Sequence, residues 1–384
     1  MHQEPPLDTR DIPFHRPHLT GDESGYVSAA LASGHLHGDG PFTAEASQRL
    51  SELSGSGRVM LTPSCTHALE LSALLLDLGP GDEVVMPSFT FVSTANAFAL
   101  RGARPVFVDI DPRTPDLDPA AVADAVTERT KAIVVVHYAG IACDMDALLA
   151  IADGHGIPLI EDNAHGLGGT YRDRPLGSLG AMAALSFHDT KNIQCGEGGA
   201  LVINRPELVG RAEVLREKGT NRQAFMRHEV EKYTWVDVGS SYLLGEILAA
   251  VLTAQLDHVD EIQKARHEVW ATYQSELRAW SDAAGVQLPH PDPASQHPAH
   301  LYHLLLPTPE DRTRFLDHVR GAGVGTAFHY VPLHDTPIAR RLGHEGPLPV
   351  TESAAARLAR IPLYPDLRPE DVDRILEVVT SFGG

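Results

Sequence analysis

Through the first two thirds of the chain, short runs of β-branched and apolar residues recur at regular intervals, and this alternation most limits what the chain can fold into. The runs are RVML (58–61), EVVMP (83–87), RPVFVDI (104–110), KAIVVVH (131–137) and IPLIED (157–162). Alanine- and leucine-rich segments such as HALELSALLLDL (67–78) fill the intervals, with the composition and length of crossover helices. Strands joined by helices lie parallel, so the pattern predicts an α/β fold around a mainly parallel sheet covered on both faces. ALSFH (184–188) and GALVIN (199–204) read as two further strands. Beyond an amphipathic stretch over 248–269, the proline-rich HPDPASQHPAH (290–300) marks a boundary or a long loop before LYHLLL (301–306). The remainder reads as a small α/β unit ending in a helix from about Pro369. The expected division is an N-terminal arm and large domain over 1–255 and a small domain over 256–384, with the opening dozen residues a loose arm.

A chain of 384 residues that is 43% hydrophobic has ample material for extensive cores. Its net charge of -20 argues against a nucleic-acid binder or a protein held to anionic lipid, since both depend on basic clusters. The start, MHQEPPLDTR, has no basic segment followed by an apolar one, and no run of about twenty apolar residues occurs, so a cytoplasmic protein without a membrane span is expected. Cys65, Cys143 and Cys195 are scattered without CxxC spacing, which offers neither a disulfide framework nor a zinc site.

In parallel α/β sheets, ligands bind beyond the carboxyl ends of the strands. After the first run comes TPSCTHALE (62–70), where Ser64 or Thr66 reads either as a helix N-cap or as part of a phosphate cradle. PSFTFVSTANAF (87–98) follows the second, with Phe89 and Phe91 either in the core or flat against an aromatic ligand. EDNAHG (161–166) brings Asp162 and His165, which are turn and cap residues in one reading and groups facing two edges of one ring in another; no third ligand accompanies them for a metal. SFHDTKNIQCGEGGAL (186–201) then sets Lys191 between Ser186 and the glycines 196, 198 and 199, which let the backbone pass close to something flat. The chain has five lysines against twenty-six arginines, and a lysine kept in such a loop is there for its amine more than its charge, because arginine cannot form a Schiff base. Together, a phosphate cradle, a stacking ring, a carboxylate and an amine that can bond an aldehyde are what pyridoxal 5'-phosphate requires.

These segments carry a resemblance to a known family. VMLTPSCTHAL (59–69), PSFTFVSTANA (87–97), PVFVDID (105–111), LIEDNAHGLG (159–168), SFHDTKNIQCGEGGAL (186–201) and HYVPLH (329–334) resemble the DegT/DnrJ/EryC1/StrS sugar aminotransferases, within the aspartate aminotransferase-type (fold type I) group. KGTNRQAF (218–225) and KYTWVDVGSSYLLGEILAA (232–250) are similar to the branch that aminates C4 of dTDP-4-keto-6-deoxyglucose.

The resemblance implies that Lys191 bonds pyridoxal 5'-phosphate as a Schiff base and that Asp162 keeps the pyridine nitrogen protonated. It places His165 at the ring hydroxyl, Phe91 on the ring, and Ser64, Cys65 through its backbone, Thr66 and Ser186 at the phosphate. Where most relatives have an asparagine that reaches the neighbouring subunit's cofactor phosphate, this chain has Ser241. Arg222, His329 and Tyr330 are candidates for the sugar-nucleotide pocket, against the plainer readings of a surface arginine and a packed tyrosine. L-glutamate is the implied donor, a dTDP-4-keto-6-deoxy sugar the implied acceptor, and a homodimer the implied assembly. Two rivals are a pyridoxal-dependent sugar dehydratase, in which histidine replaces the lysine, and a binding or regulatory protein that kept the fold and lost the chemistry. The bias toward arginine, alanine, glycine and proline suits a GC-rich genome and an antibiotic-sugar pathway. Product stereochemistry at C4, gluco or galacto, stays open at this level.

Overall fold

The computed structural model describes residues 11–383. Its strands, in chain order, are β1 (Arg58–Thr62), β2 (Glu83–Pro87), β3 (Arg104–Val108), β4 (Thr130–Val136), β5 (Leu159–Asp162), β6 (Thr170–Tyr171), β7 (Arg174–Pro175), β8 (Met182–Ser186), β9 (Gly199–Ile203), β10 (Ser295–Gln296), β11 (Tyr302–Leu305) and β12 (Leu358–Ile361). The main sheet has the order β1-β9-β8-β5-β4-β2-β3. Pairing is parallel from β8 through β3 and antiparallel where β9 meets β1 and β8, so β9 alone runs against the rest.

The sheet is buried on both faces because successive residues alternate between them. Met60, Val84 and Met86 pack into a core with Leu69, Leu71 and Phe98 on one side. Their neighbours turn the other way, Val59 and Leu61 joining Leu185, Phe187 and Leu252, and Val85 joining Val135 and Leu148. The helix Cys65–Leu75 follows β1 directly, and Ser64 caps it by accepting from the His67 amide at 3.2 Å.

A second core lies under the two-stranded β11-β12 sheet, where Tyr302, Leu304, Ala359 and Ile361 meet Tyr273 of the helix Val259–Glu276 and Phe315 and Ile375 of two later helices. The other face of the same ribbon, through Leu305 and Leu358, packs on Phe89, Ile110 and Tyr138 of the large sheet's loops. His303 and Arg360 share that inward face and are paired in register. No helix among the described residues is long and apolar enough to cross a membrane.

Two expectations change. The loose arm falls on residues 1–10, which lie outside the described residues, and on Asp11 and Ile12, where the structure differs. Ile12 is buried and pairs with the small unit, donating to the Gly323 carbonyl at 2.9 Å and accepting from Gly325 at 2.8 Å. The proline-rich 290–300 segment is more than a connector, since β10 within it pairs with β6 in a small three-stranded sheet of order β10-β6-β7.

Candidate active site

The carboxyl ends of β1, β2, β4, β5 and β8 open into one cavity of about 360 Å³, roofed by the inward face of the small unit. Ser64, Cys65, Thr66, Phe91, Asp162, His165, Ser186, Lys191, His329 and Tyr330 all line it. Arg222 and Ser241 do not; both lie elsewhere on the chain, Arg222 in the short helix Arg222–Met226 and Ser241 exposed beside Glu217.

The cradle depends on one glycine. A Cβ on Gly199 would lie 2.3 Å from the Ser64 carbonyl carbon and 2.4 Å from the Cys65 nitrogen, so β9 can abut this turn only with glycine there. The close approach expected of that glycine is therefore to backbone and not to a flat ligand. The amides of Cys65 and Thr66, at the start of their helix, have no intrahelical acceptor and open on the cavity, as an anion site requires. The Thr66 hydroxyl bonds Ser93 at 2.7 Å. Burial pushes the Cys65 thiol well up, so it stays neutral and offers its backbone, not a thiolate.

β5 ends on two adjacent carboxylates with opposite fates. Glu161 is fully buried, and its oxygens accept from the amides of Gly177, Leu179 and Gly180 and from His137, so its bonding is complete inside the fold. Asp162 faces the cavity, accepts from the Thr94 hydroxyl at 2.7 Å and the Ala164 amide at 3.3 Å, and is held above the usual carboxylate range by burial. A cationic partner at its free edge would reverse that shift. His165 stands near it with Nδ1 buried and unpartnered, its ring stacked on His300 at 4.3 Å. Burial holds His165 well below the usual histidine range, so the ring is neutral.

Lys191 rides the loop between β8 and β9, a hairpin closed by Phe187 to Gly198 at 2.8 Å and Asp189 to Gly196 at 3.0 Å. Burial lowers its amine's pKa, opposed by Cys65 and Asp162. The next residue anchors the loop: Asn192 donates to the Pro298 carbonyl at 2.7 Å and to Gln263 at 3.0 Å, and its Oδ1 meets His300 Nδ1 at 2.9 Å. Of the two phenylalanines, Phe89 is fully buried and edge-on to Tyr138 and Tyr330, whereas Phe91 is 59% exposed at the cavity. His329 stacks on Tyr330 at 3.9 Å and reaches the Tyr138 hydroxyl at 3.3 Å. Sequence reasoning missed Thr94, Asn192, His300 and Arg360. Thr94 and Asn192 sit inside quoted motifs, and Arg360 is a lone charge in an apolar strand, a signal that could have found it.

This arrangement tests directly for pyridoxal 5'-phosphate. Free helix amides and hydroxyls suit its phosphate, a buried carboxylate facing the cavity its ring nitrogen, an orphaned imidazole nitrogen its hydroxyl, and a buried amine its aldehyde. The residues fit the group.

Residues 17–380 match the DegT/DnrJ/EryC1/StrS aminotransferase family. Similar solved structures include the aminotransferase TlmJ from Streptoalloteichus hindustanus, 33% identical over 97% of this chain and 98% of that one, with a TM-score of 0.89. DesV from S. venezuelae, in complex with a ketimine intermediate, is 33% identical over 97% and 98% with a TM-score of 0.88. The PLP form of the sugar aminotransferase Spr1654 from Streptococcus pneumoniae, itself described as putative, is 27% identical over 97% and 98%, also at 0.88. The chain thus belongs to the DegT/DnrJ/EryC1/StrS aminotransferase family, and is a fold type I transaminase that works with pyridoxal 5'-phosphate.

Proposed function

We propose that the protein transfers the amino group of L-glutamate to C4 of dTDP-4-keto-6-deoxy-D-glucose, yielding a dTDP-4-amino-4,6-dideoxy-hexose. The observation that carries the transamination is the convergence of Lys191, Asp162 and His165 with the Ser64–Thr66 turn in one cavity. The choice of sugar rests on the similarity of 218–225 and 232–250 to the C4-aminating branch.

When bound, the cofactor supplies an electron sink for negative charge at the substrate carbon. The chain supplies the rest. The Ser64 and Ser186 side chains, the Thr66 hydroxyl and the Cys65 amide hold the phosphate, Phe91 covers one ring face, and His165 donates to or accepts from the ring hydroxyl. The Asp162 carboxylate keeps the ring nitrogen protonated, and the attraction is strong because both partners are out of water. Lys191 is the amine that bonds the aldehyde. Its Nζ would also be the group that takes a proton from the donor's α-carbon and gives one to C4 of the sugar. A lowered pKa suits the first task, since the amine must be neutral to take a proton, and the ammonium so formed is the acid that gives one back.

A homodimer belongs to this reading. Phe225, Met226, Tyr233, Trp235, Val236 and Val238 are exposed around Arg222 and Ser241, and Trp235 is 73% exposed, which is the kind of apolar patch that a second copy covers. Arg222 and Ser241 would then reach the partner's cavity, Ser241 at the phosphate and Arg222 at the sugar nucleotide with His329 and Tyr330. The cysteines are all unpaired, in keeping with a cytoplasmic setting.

The test is incubation with dTDP-4-keto-6-deoxyglucose and L-glutamate, with NMR coupling constants at H4 of the product distinguishing gluco from galacto. Absence of any 4-amino sugar while another keto sugar is aminated would reject the substrate and keep the chemistry.

A further inference from the structure

At the cavity wall and just behind it, Nδ1 of His165, Nδ1 of His303 and Nε of Arg360 are buried without a partner. His300 differs from them, because the bonds around it fix the state of both ring nitrogens. The Leu167 carbonyl accepts from Gln263 Nε2 at 3.1 Å, which leaves Gln263 Oε1 as an acceptor. Asn192 Nδ2 donates to that Oε1 at 3.0 Å and to the Pro298 carbonyl at 2.7 Å. With both amide protons of Asn192 so placed, its Oδ1 is the atom that meets His300 Nδ1 at 2.9 Å. An amide oxygen cannot donate, so His300 carries its proton on Nδ1. Burial holds the ring well below the usual histidine range, so no second proton is present and Nε2 is a bare lone pair. Among the described residues Nε2 has no partner, and it is not sealed from solvent, so it opens on the cavity that His300 lines.

The backbone is held so as to present this ring. Ala299 has a left-handed φ of 49°, a conformation that a residue with a Cβ keeps only where its surroundings impose it. Arg266 imposes it, donating from Nε to the Ala299 carbonyl at 3.0 Å and from Nη2 to the His300 carbonyl at 2.5 Å. The ring stacks on His165 at 4.3 Å and bonds the residue that follows Lys191. A ligand group that meets Nε2 therefore belongs close to the carbon on which Lys191 acts.

Of the two substrates in the preceding reading, one carries a donor there. The reacting carbon of an amino acid is flanked by a carboxylate, whose oxygens only accept and so repel a lone pair, and by the side chain's methylene. The ketone carbon of a 4-keto-6-deoxy pyranose is flanked by C5, which bears the methyl group, and by C3, which bears a hydroxyl. We infer that His300 Nε2 accepts the C3 hydroxyl of the keto sugar, and that Asn192 is the positioning residue that keeps the lone pair on that nitrogen. This rests on the reading that the acceptor is a 4-keto sugar. It assigns His300 to the sugar half of the cycle and sets the site against keto sugars with no donor beside the ketone.

One arm of the test needs no substrate. In holoenzyme labelled with nitrogen-15 at histidine, the His300 signals, assigned by their loss in His300→Phe, should show a protonated Nδ1 and a bare Nε2 at neutral pH. Asn192→Leu should move the proton to Nε2 or share it between the two nitrogens. A wild type with its proton on Nε2 would overturn the inference, whether or not Asn192→Leu folds.

The second arm uses His300→Phe, which keeps a ring on His165 and removes both nitrogens. In rapid mixing its amine form should lose about 3- to 10-fold in the second-order rate constant toward the 4-keto sugar, the worth of one neutral hydrogen bond. Its reaction with glutamate should stay within about twofold of wild type, less than one such bond. Toward the 3-deoxy analogue of the keto sugar the two proteins should react alike. Retained cofactor absorbance and far-UV dichroism would show that the variant folds. An equal loss in both half-reactions, as expected if the lone pair serves Lys191, would overturn the inference, and so would the same loss with the 3-deoxy analogue. A wild type inert toward the 4-keto sugar would defeat the substrate named above and the C3 hydroxyl with it, while the histidine signals would decide separately whether Asn192 sets the tautomer.

Discussion

The floor and the roof of the cavity are built on different principles. The floor comes from five strand ends, where each side chain sits within a few residues of a β-carbonyl ladder and most polar atoms already have partners, as with Asp162 to Thr94 and Thr66 to Ser93. The roof comes from scattered segments that reach the site singly: His300 from the proline-rich stretch, His329 and Tyr330 from a loop, Arg360 from β12. In the proposed reading the floor is the seat of a cofactor that stays. The roof holds neutral imidazoles and one under-used cation, which suits ligands that come and go.

If that division is right, floor variants should damage both halves of the cycle and roof variants one substrate at a time. The largest effect belongs to Lys191→Ala, expected to lose at least about 10⁴-fold in turnover, the upper range for a positioned proton-transfer group, with an unchanged dichroism spectrum. Wild-type rates of amino sugar formation by that variant would break the comparison at its base. Asp162→Asn should cost about 10²-fold or more in both half-reactions, since neither can use a ring nitrogen left unprotonated. It also carries a pH signature in the cofactor-free protein. Because burial raises the folded pKa of Asp162, the folded state binds more protons than the unfolded one between the ordinary carboxylate value and the raised one, so wild-type stability falls as pH rises through that window. Asp162→Asn lacks this decline, and comparing the two melting temperatures across pH should show the gap widen upward.

A smaller effect is expected from Gly199→Ala. Its Cβ meets backbone on both sides of the Ser64–Cys65 bond, which cannot rotate away, so about 1–3 kcal/mol of stability should be lost, together with cofactor affinity. Thermal unfolding and a cofactor titration would measure both. His329→Gln, on the roof, should leave cofactor affinity alone and raise the Michaelis constant for one substrate only; a fall in cofactor affinity would erase the distinction between the two walls. Least of all, Thr94→Val removes a donor that favours the charged Asp162, so the acid limb of the rate profile should move to higher pH while the plateau rate changes little.

The same contrast explains what could be read from the residues alone. All seven strands of the main sheet were legible because parallel strands covered on both faces must be nearly continuous in apolar residues, as EVVMP and KAIVVVH are. The floor was legible for a related reason, since its groups follow those strands directly. β6, β7 and β10 were not, for a two-residue strand has no periodicity to detect. Nor could Glu161 be told from Asp162 by type. One points at three amides and the other at a cavity only because successive residues face opposite ways. His300 was hidden in a segment that reads as linker, and Ile12 in one that reads as a loose arm. Both owe their burial to partners more than a hundred residues away, Asn192 for His300 and Gly323 for Ile12, and no local pattern reports such a contact.

The one strand that opposes its neighbours, β9, has a further consequence. Had it been parallel to β8, the chain between them would have needed a crossover helix, and the lysine would ride on a long detour over a sheet face. Reversal makes that stretch a hairpin whose stem is five aligned residue pairs, from Met182 with Ile203 to Ser186 with Gly199. The amine's reach is thereby metered by a strand register. Adding or deleting one residue in either arm would flip alternate side chains to the wrong face of the sheet before it moved the lysine at all, so the length of this loop is under the protection of the core.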